Sequence, residues 1–240
     1  MEKISYPIVE EIIDFVLDRP PVSKAYDSVS SYYDVGLTSA TFLTSTYNKL
    51  VWGLHDQDYV EKVLSSFSKA KHQVILDVPV GSGVFTVDLY KNLDKTSSIV
   101  VLDYSLEMMK KAKERYEKNG LSNLLYIHGD VAQLPLLSNA VDVLLTMNGY
   151  HAFPDKDKAL KEISRVIKPN GCVLGCFYVK NERRVTDFII NSVYTRQKTF
   201  SPPFYSKKEV QNMWSTHFDF QTNGNVKSIL YFKGIKHNCA

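Results

Sequence analysis

The chain has 240 residues, a length that suits one α/β domain with an attached segment, or at most two domains. Hydrophobic residues make up 44% of it and charged residues 23%, with a formal net charge of +3; this is the composition of a soluble globular protein and excludes a mainly disordered chain. No apolar run is long enough to span a bilayer, and the early acids of MEKISYPIVEEIIDF argue against a secretory leader. We therefore expect a cytoplasmic protein without a membrane span.

The three cysteines, Cys172, Cys176 and Cys239, form no CxxC pair and do not lie near a histidine at zinc-ligand spacing. They predict reduced thiols and no metal site. Cys172 and Cys176 are evenly spaced in a predicted strand, so both should face the same side. The basic runs are short and typical of solvated faces, so no nucleic-acid partner is predicted.

Residues 1–72 are predicted to form an amino-terminal helical lid or extension. Apolar residues from Ile8 to Leu17 recur at three-to-four spacing, which predicts a helix that ends before two prolines. The next segment, AYDSVSSYYDVGLTSATFLTSTYNKLVWG, predicts short helices with aromatic faces. Its candidates for contact with a substrate are Tyr26 and Tyr33, followed by Trp52 and His55. The alternative is that these rings only fill the joint with the main sheet.

Residues 73–240 are predicted to form one compact α/β domain. The apolar runs QVILDVP, SIVVLD, LLYIHGD, VDVLLTMN and GCVLGCFYV alternate with amphipathic helices that begin near Phe85, Leu106 and Asp155. Strands separated by helices indicate a parallel, doubly wound, Rossmann-like sheet covered on both faces. Two further helices, TDFIINSVYTRQ and SKKEVQNMWSTHF, precede a predicted antiparallel hairpin that turns near residues 223–225.

The turn after the first of these strands, within ILDVPVGSGVF, indicates a nucleoside-containing ligand. Ligands of doubly wound sheets bind beyond the carboxyl ends of the strands, where Gly81 and Gly83 leave the backbone bare. Asp103 ends the second strand, where a carboxylate can accept hydrogen bonds from both ribose hydroxyls. Asp77 would repel a pyrophosphate but suits a sulfonium and an ammonium. Thr86 stands where a dinucleotide motif requires its third glycine, which counts against NAD.

These residues resemble the class I S-adenosylmethionine-dependent methyltransferases, and the resemblance covers most of the chain. DVPVGSG is similar to the first motif of that family, with Pro79 in place of its first glycine, and Asp77, Gly81 and Gly83 are the matching positions. LDYSLEMM is similar to the second motif. That likeness implies Asp103 on the ribose and Tyr104 and Met108 beside the adenine.

The stretch GDVAQLPLLSNAVDVLLTMNGYHAF is similar to the third and fourth motifs of the family. It implies Asp130 near the adenine amino group, Val131 on the ring and Asn148 near the methionine part. The resemblance also implies a seven-stranded sheet of order 3-2-1-4-5-7-6 with strand 7 antiparallel, S-adenosylmethionine as cofactor and S-adenosylhomocysteine as product. AYDSVSSYYD resembles the amino-terminal lid of the quinone-biosynthesis methyltransferases.

The predicted chemistry is methyl transfer by in-line displacement, which depends mainly on alignment and exclusion of water and needs no metal. His151 follows the fourth strand, and a pKa near 6.5 would suit a general base there. The alternative is a histidine that only lines the pocket. Tyr150 and His151 are also candidates for substrate binding, and Tyr33 for orienting the acceptor. Trp214 is a weaker candidate for the acceptor side.

Two other functions remain open from the residues: a nicotinamide-dependent oxidoreductase, and a non-catalytic sensor that binds S-adenosylmethionine. Thr86 and Asp77 count against the first, and an open acceptor pocket would count against the second. The aromatic lid indicates a flat or lipophilic small-molecule acceptor. The residues leave open its identity, the methylated atom and the oligomeric state.

Overall fold

A computed structural model describes residues 8–16, 52, 57–67 and 70–238. The strands are β1 Ile8–Val9, β2 Ile12–Asp14, β3 Val74–Asp77, β4 Ser98–Asp103, β5 Leu124–His128, β6 Val141–Met147, β7 Ile167–Tyr178, β8 Phe218–Val226 and β9 Ile229–Lys236. The α-helices are α1 Gln57–Leu64, α2 Val87–Lys91, α3 Leu106–Lys118, α4 Lys156–Val166, α5 Arg184–Ile189 and α6 Lys207–Trp214. A 3-10 turn spans Val131–Gln133, and a π-helical turn, Ile190–Tyr194, extends α5.

The described strands form one nine-stranded sheet in the order β1-β2-β5-β4-β3-β6-β7-β9-β8. The seven strands from β3 onward have the predicted order, and β9 runs antiparallel to both of its neighbours. The doubly wound fold is therefore confirmed, with two more strands than predicted. Because the chain leaves β3 toward β4 on one side and enters β6 on the other, a crevice opens beyond the carboxyl ends of these strands.

The predicted helix from Ile8 to Leu17 is wrong over its described part. Ile8–Val9 and Ile12–Asp14 instead form a tight hairpin, and β2 adds in parallel to the edge of β5. Glu10 and Glu11 make the two-residue turn with φ of 51° and 66°, the conformation that a type I′ turn requires. The β-branched residues favour strands, and Ile12 is fully buried in the core.

Two apolar layers cover the sheet, as a parallel sheet requires. Alternate residues of β3 face opposite layers: Ile75 packs in the layer that contains α1 and α3, and Leu76 in the layer that contains α4 and α6. Cys172 and Cys176 are both buried in the α1 and α3 layer, which confirms the prediction that they face the same side of the sheet.

The carboxy-terminal hairpin turns at Lys227 and Ser228, because Val226 pairs with Ile229; the predicted turn at residues 223–225 is therefore wrong. Most of the predicted lid, including Tyr26, Tyr33 and His55, lies outside the described residues, so its form stays a prediction. In the described part of the chain no helix is long and apolar enough to cross a membrane.

Candidate functional site

A cavity of about 350 Å³ lies at the crevice beyond β3, β4 and β6, a volume typical of ligand pockets. The wall includes nine of the predicted cofactor or substrate residues: Pro79, Gly81, Asp103, Tyr104, Met108, Asp130, Val131, Asn148 and His151. Their assigned roles stay predictions. What the structure adds is that four separate segments of sequence meet around one space.

The glycine turn presents its backbone to this cavity at Gly81. The residue has a φ of 56°, and a Cβ at this position would meet nothing within 4 Å. Arg115 braces the turn by donating to the Ser82 carbonyl at 2.6 Å and to its Oγ at 2.8 Å. Pro79 packs so closely on Gly149 that a Cβ there would lie 2.2 Å from the Pro79 Cδ atom. Gly149 is a requirement of the turn that the sequence reasoning missed.

Asp103 connects the glycine turn to the start of α3. Its Oδ2 accepts a hydrogen bond from the Gly81 N–H at 2.8 Å, and its Oδ1 accepts one from the Ser105 N–H at 2.9 Å. Burial raises the pKa of this carboxyl to about 6, against the lowering effect of these backbone hydrogen bonds. Each carboxylate oxygen still has acceptor capacity, so Asp103 can receive hydroxyl groups from a ligand in the cavity.

The neighbouring loops are held in place by buried polar contacts. The Asp130 Oδ1 accepts a hydrogen bond from the Ala132 N–H at 2.8 Å and so caps the 3-10 turn. His128 lies 2.7 Å from Asp14 through Nδ1 and 3.1 Å from the Tyr104 carbonyl through Nε2. The added strand β2 therefore supports the loop that carries Tyr104. The helical pattern predicted for Ile8 to Leu17 gave no indication of this contact.

Asp77 and Gly83 are not part of the described cavity wall, although both were predicted to contact the cofactor. The Asp77 Oδ2 instead accepts hydrogen bonds from the Thr86 hydroxyl at 3.0 Å and the Tyr90 hydroxyl at 2.8 Å. Gly83 lies against Tyr116, where an added Cβ would approach the ring Cζ to 2.7 Å. These residues support the turn from behind, and Thr86, the departure from the dinucleotide motif, is one of the Asp77 donors.

Burial raises the pKa of Asp77 from 3.8 to about 7, the hydrogen bonds from Tyr90 and Thr86 oppose this, and the Asp103 charge adds to it. A carboxyl whose pKa is raised on folding stabilises the protein fully below its unfolded pKa, and this contribution is lost as the pH rises through the folded value. The free energy of unfolding of the ligand-free protein should therefore fall between about pH 4 and 7. Where only one state is ionised, the slope is about 1.4 kcal/mol per pH unit.

We expect Asp77→Asn to remove this component. Urea titrations at pH 6.0, 6.5, 7.0 and 7.5 would compare the free energy of unfolding of the variant with that of the wild type. This range is chosen because Asp103, with a pKa of about 6, changes the free energy of unfolding mainly at lower pH. A variant whose stability falls as steeply as that of the wild type would contradict the raised pKa.

His151 lies in the wall just beyond β6 and differs from the general base that was predicted. Its Nδ1 accepts a hydrogen bond from the Tyr178 backbone N–H at 3.1 Å, which places the ring proton on Nε2. Burial, with a smaller effect of the Lys156 charge, lowers the pKa of His151 to about 3. The ring also stacks on Phe200, with centroids 4.0 Å apart. This pKa lies below the value near 6.5 that suits a general base, and the geometry favours a neutral hydrogen-bond donor, so the base role stays a prediction.

The far end of the cavity, away from Asp103 and near His151, is formed by a segment for which the sequence predicted only a helix. The π-helical turn and the residues after it contribute four wall residues: Tyr194, Gln197, Thr199 and Phe200. Trp52 packs edge-on against Tyr194, with centroids 6.1 Å apart, so it supports this end. A π-helical turn inside a helix is often found at functional sites, but the sequence has no simple signal for it.

Two predicted substrate-side residues lie elsewhere. Tyr150 and Trp214 are fully buried in the α4 and α6 layer, where their ring centroids are 5.2 Å apart. Tyr150 precedes His151 in the chain, but its side chain points to the opposite side of the turn and packs with Phe177. Both residues are core residues in this structure.

The two ends of the cavity differ in charge. Asp103 and Asp130 lie at the end near β4 and β5, whereas the described wall near His151 and Phe200 contains no acid. One end therefore suits a ligand that is cationic and carries hydroxyl groups, and the other suits a neutral ring. These residues fit S-adenosylmethionine and do not fit a pyrophosphate.

The fold and this cavity define a doubly wound protein that binds a nucleoside-containing cation beside an acceptor space. The chain belongs to the ubiE/COQ5 methyltransferase family, whose model matches residues 16–205. It is an S-adenosylmethionine-dependent methyltransferase acting on a small molecule.

Individual relatives agree with this assignment. A demethylmenaquinone methyltransferase of Staphylococcus carnosus (strain TM300) is 26% identical over 226 residues, which cover 92% of this chain and 87% of the relative. The demethylmenaquinone methyltransferase of Staphylococcus aureus (strain MRSA252) is 24% identical over 216 residues, covering 88% and 83% of the two chains. The crystal structure of an S-adenosylmethionine-dependent methyltransferase from Aquifex aeolicus has a TM-score of 0.60 and 21% identity, covering 90% of this chain and 99% of that one.

Proposed function

We propose that this enzyme methylates the ring of a lipophilic quinone in its reduced, hydroquinone form. The observation that carries the proposal is the far end of the cavity, where aromatic residues and neutral hydrogen-bond donors, among them His151, form a described wall without an acid. The demethylmenaquinone methyltransferases among its relatives support the same acceptor class. In the described part of the chain Cys172 and Cys176 form no disulfide, which supports the predicted cytoplasmic location.

The two ends of the cavity would bind different molecules, the cofactor at one end and the acceptor at the other. Asp103 and the Gly81 turn would hold S-adenosylmethionine, with S-adenosylhomocysteine as the product, while Met108 and Val131 supply apolar surface for its base. When bound, this group supplies a methyl group activated by attachment to a sulfonium. Phe200 and Phe153 would align the flat ring and exclude water, which is where most of the rate enhancement of such a displacement arises.

The His151 donor would act on the acceptor itself. A hydroquinone ring carbon becomes a better nucleophile when a neighbouring oxygen carries negative charge, and a donor fixed at this oxygen stabilises the charge as it develops. The Tyr178 N–H holds the His151 imidazole in the tautomer with its proton on Nε2, and the stack on Phe200 fixes the plane of the imidazole. The ring proton that the methyl group replaces would leave to solvent or to a hydroquinone oxygen.

The test is methyl transfer from labelled S-adenosylmethionine to a short-chain demethylated naphthohydroquinone, followed by mass spectrometry. We expect one added methyl group on the ring. The matched control is the same compound with the ring position already methylated, which should remain unchanged. Methylation of both compounds would indicate an oxygen acceptor, and methylation of neither would contradict the proposal.

A further inference from the structure

The outer face of α5 and the π-helical turn is apolar. Of the six large hydrophobic residues that are exposed in the described part of the chain, three lie within this one stretch. Phe188 is 72% exposed, Val185 51% and Val193 42%. Val185 and Phe188 are three residues apart in α5, and Val193 follows Phe188 by five, the hydrogen-bond spacing of a π-helical turn. We call Val185, Phe188 and Val193 the apolar face.

Packing of the helix does not explain this face, because the opposite side is already occupied. Thr186 and Ile190 are fully buried, and Tyr194 lines the cavity. A surface helix is normally apolar on the side that meets the core and polar on the other side. This one is apolar on both sides, and clustered exposure of large hydrophobic residues marks an interaction surface.

The surroundings of the apolar face are basic. Residues 181–200 contain four basic residues and two acids. Arg184, Arg196 and Lys198 are exposed, and Arg183 is partly exposed. One of the acids, Asp187, has its carboxylate turned inward, accepting hydrogen bonds from the Tyr178 hydroxyl at 2.6 Å and the Asn181 N–H at 3.0 Å. An apolar centre with a basic rim matches the boundary between anionic headgroups and acyl chains.

The apolar face is continuous with the acceptor end of the cavity. Gln197 is exposed to solvent and also lines the wall, and Phe200, three residues later, stacks on His151. The same stretch of chain therefore has one side toward solvent and the other toward the acceptor space. A lipophilic molecule that leaves a bilayer at this face would have only a short aqueous path to the cavity.

We propose that the apolar face docks the enzyme peripherally on an anionic lipid bilayer, with Phe188 inserted at the interface and Arg184, Arg196 and Lys198 on the headgroups. This goes beyond the methyl-transfer activity, and the face contains none of the residues assigned to the cavity. Docking would bring Gln197, which is exposed and also lines the cavity, to the membrane surface.

The test is co-sedimentation of the full chain with vesicles of phosphatidylcholine containing one third phosphatidylglycerol, without cofactor or acceptor. We expect the protein to bind these mixed vesicles and to bind vesicles of pure phosphatidylcholine much more weakly. Binding to the mixed vesicles should be reduced by 0.5 M NaCl. Phe188→Ser should weaken vesicle binding about tenfold, because the aromatic ring that inserts at the bilayer interface is lost. The pair Arg184→Gln and Arg196→Gln should also weaken it about tenfold or more, because two headgroup contacts are lost.

Matched controls distinguish this face from surface hydrophobicity and charge in general. Leu137 is 81% exposed in the loop that leads to β6, and Leu137→Ser should leave binding within about twofold. The pair Lys161→Gln and Lys208→Gln removes two exposed charges elsewhere and should also have little effect. Equal losses in the controls, or no vesicle binding by the wild type, would overturn the proposal.

Two further outcomes are decisive. If sedimentation velocity shows a wild-type dimer that Phe188→Ser dissociates, the face is covered by a second copy and the membrane proposal fails. In the methyl-transfer assay with a water-soluble, short-chain acceptor, Phe188→Ser should keep wild-type turnover, so a failure of docking and a failure of the proposed acceptor can be told apart. With a long-chain acceptor embedded in vesicles, the same variant should be slower.

Discussion

Asp103→Ala should lower the affinity for S-adenosylmethionine and S-adenosylhomocysteine by at least about 100-fold, because hydrogen bonds to a charged group contribute roughly 1.5–3 kcal/mol each. The carboxylate also fixes the Gly81 and Ser105 amides on either side of the cavity. Isothermal titration calorimetry of both compounds, with NAD as a further ligand, measures this effect. We expect no binding of NAD by either protein.

The matched control is Asp142→Ala. Asp142 lies near the amino end of β6, where its carboxylate accepts a hydrogen bond from the Val74 N–H at 2.8 Å and pairs with Lys168 at 2.8 Å. Like Asp103, it accepts a hydrogen bond from a backbone amide, but it lies at the opposite end of the strands. Its replacement should cost stability and leave affinity unchanged. Comparable losses of affinity in both variants would mean that Asp103 acts only through the fold.

Replacing His151 should reduce turnover far more than cofactor affinity. Loss of one fixed donor to a developing negative charge typically costs 10²–10³ in kcat, so we expect His151→Phe to lose about two orders of magnitude. Phenylalanine keeps the stack on Phe200 but has no N–H group. Affinity for S-adenosylhomocysteine should change by less than about threefold. Steady-state kinetics with the short-chain hydroquinone, together with calorimetry, separate the two effects.

His151→Gln distinguishes a donor from a base. Glutamine retains an N–H donor but cannot take up a proton near neutral pH, so a donor role predicts that it keeps at least about a tenth of the wild-type turnover. If His151 acts as a base, His151→Gln and His151→Phe should be equally inactive, and wild-type kcat should fall below a pKa near 6.5. Unchanged turnover in both variants would return His151 to a packing role.

The parallel strands of the main sheet could be predicted because they depend on features local to the sequence, whereas the order of the seven main strands was implied by the family resemblance. Each buried strand contains a short continuous apolar run between turn signals, such as VLL at residues 143–145, and the helices between the strands force parallel pairing. The cofactor end of the cavity follows from the same pattern. Asp103 and Asp130 come directly after strands or at a strand end, and these ends meet at one edge of the sheet.

The features that could not be predicted depend on contacts between distant residues. Ile8 to Leu17 fits a helical period as well as a strand, and the choice is made by the free edge of β5, more than a hundred residues away. The pKa of His151 depends on burial and on the charge of Lys156. Asp77 and Gly83 matched their motif, but Thr86, Tyr90 and Tyr116 determine that they support the turn from behind.

The amino-terminal hairpin also protects the sheet against intermolecular pairing. Without it, β5 would present a row of unpaired amides and carbonyls, a template on which another chain can add and begin aggregation. With it, the outermost strand among the described residues is Ile8–Val9. The turn beside it carries Glu10 and Glu11, which pair with Lys110 and Lys113 of α3 at 3.4 and 3.1 Å. In the described part of the chain the sheet thus ends on this side at Ile8–Val9 beside a charged turn, which disfavours self-assembly through strand addition.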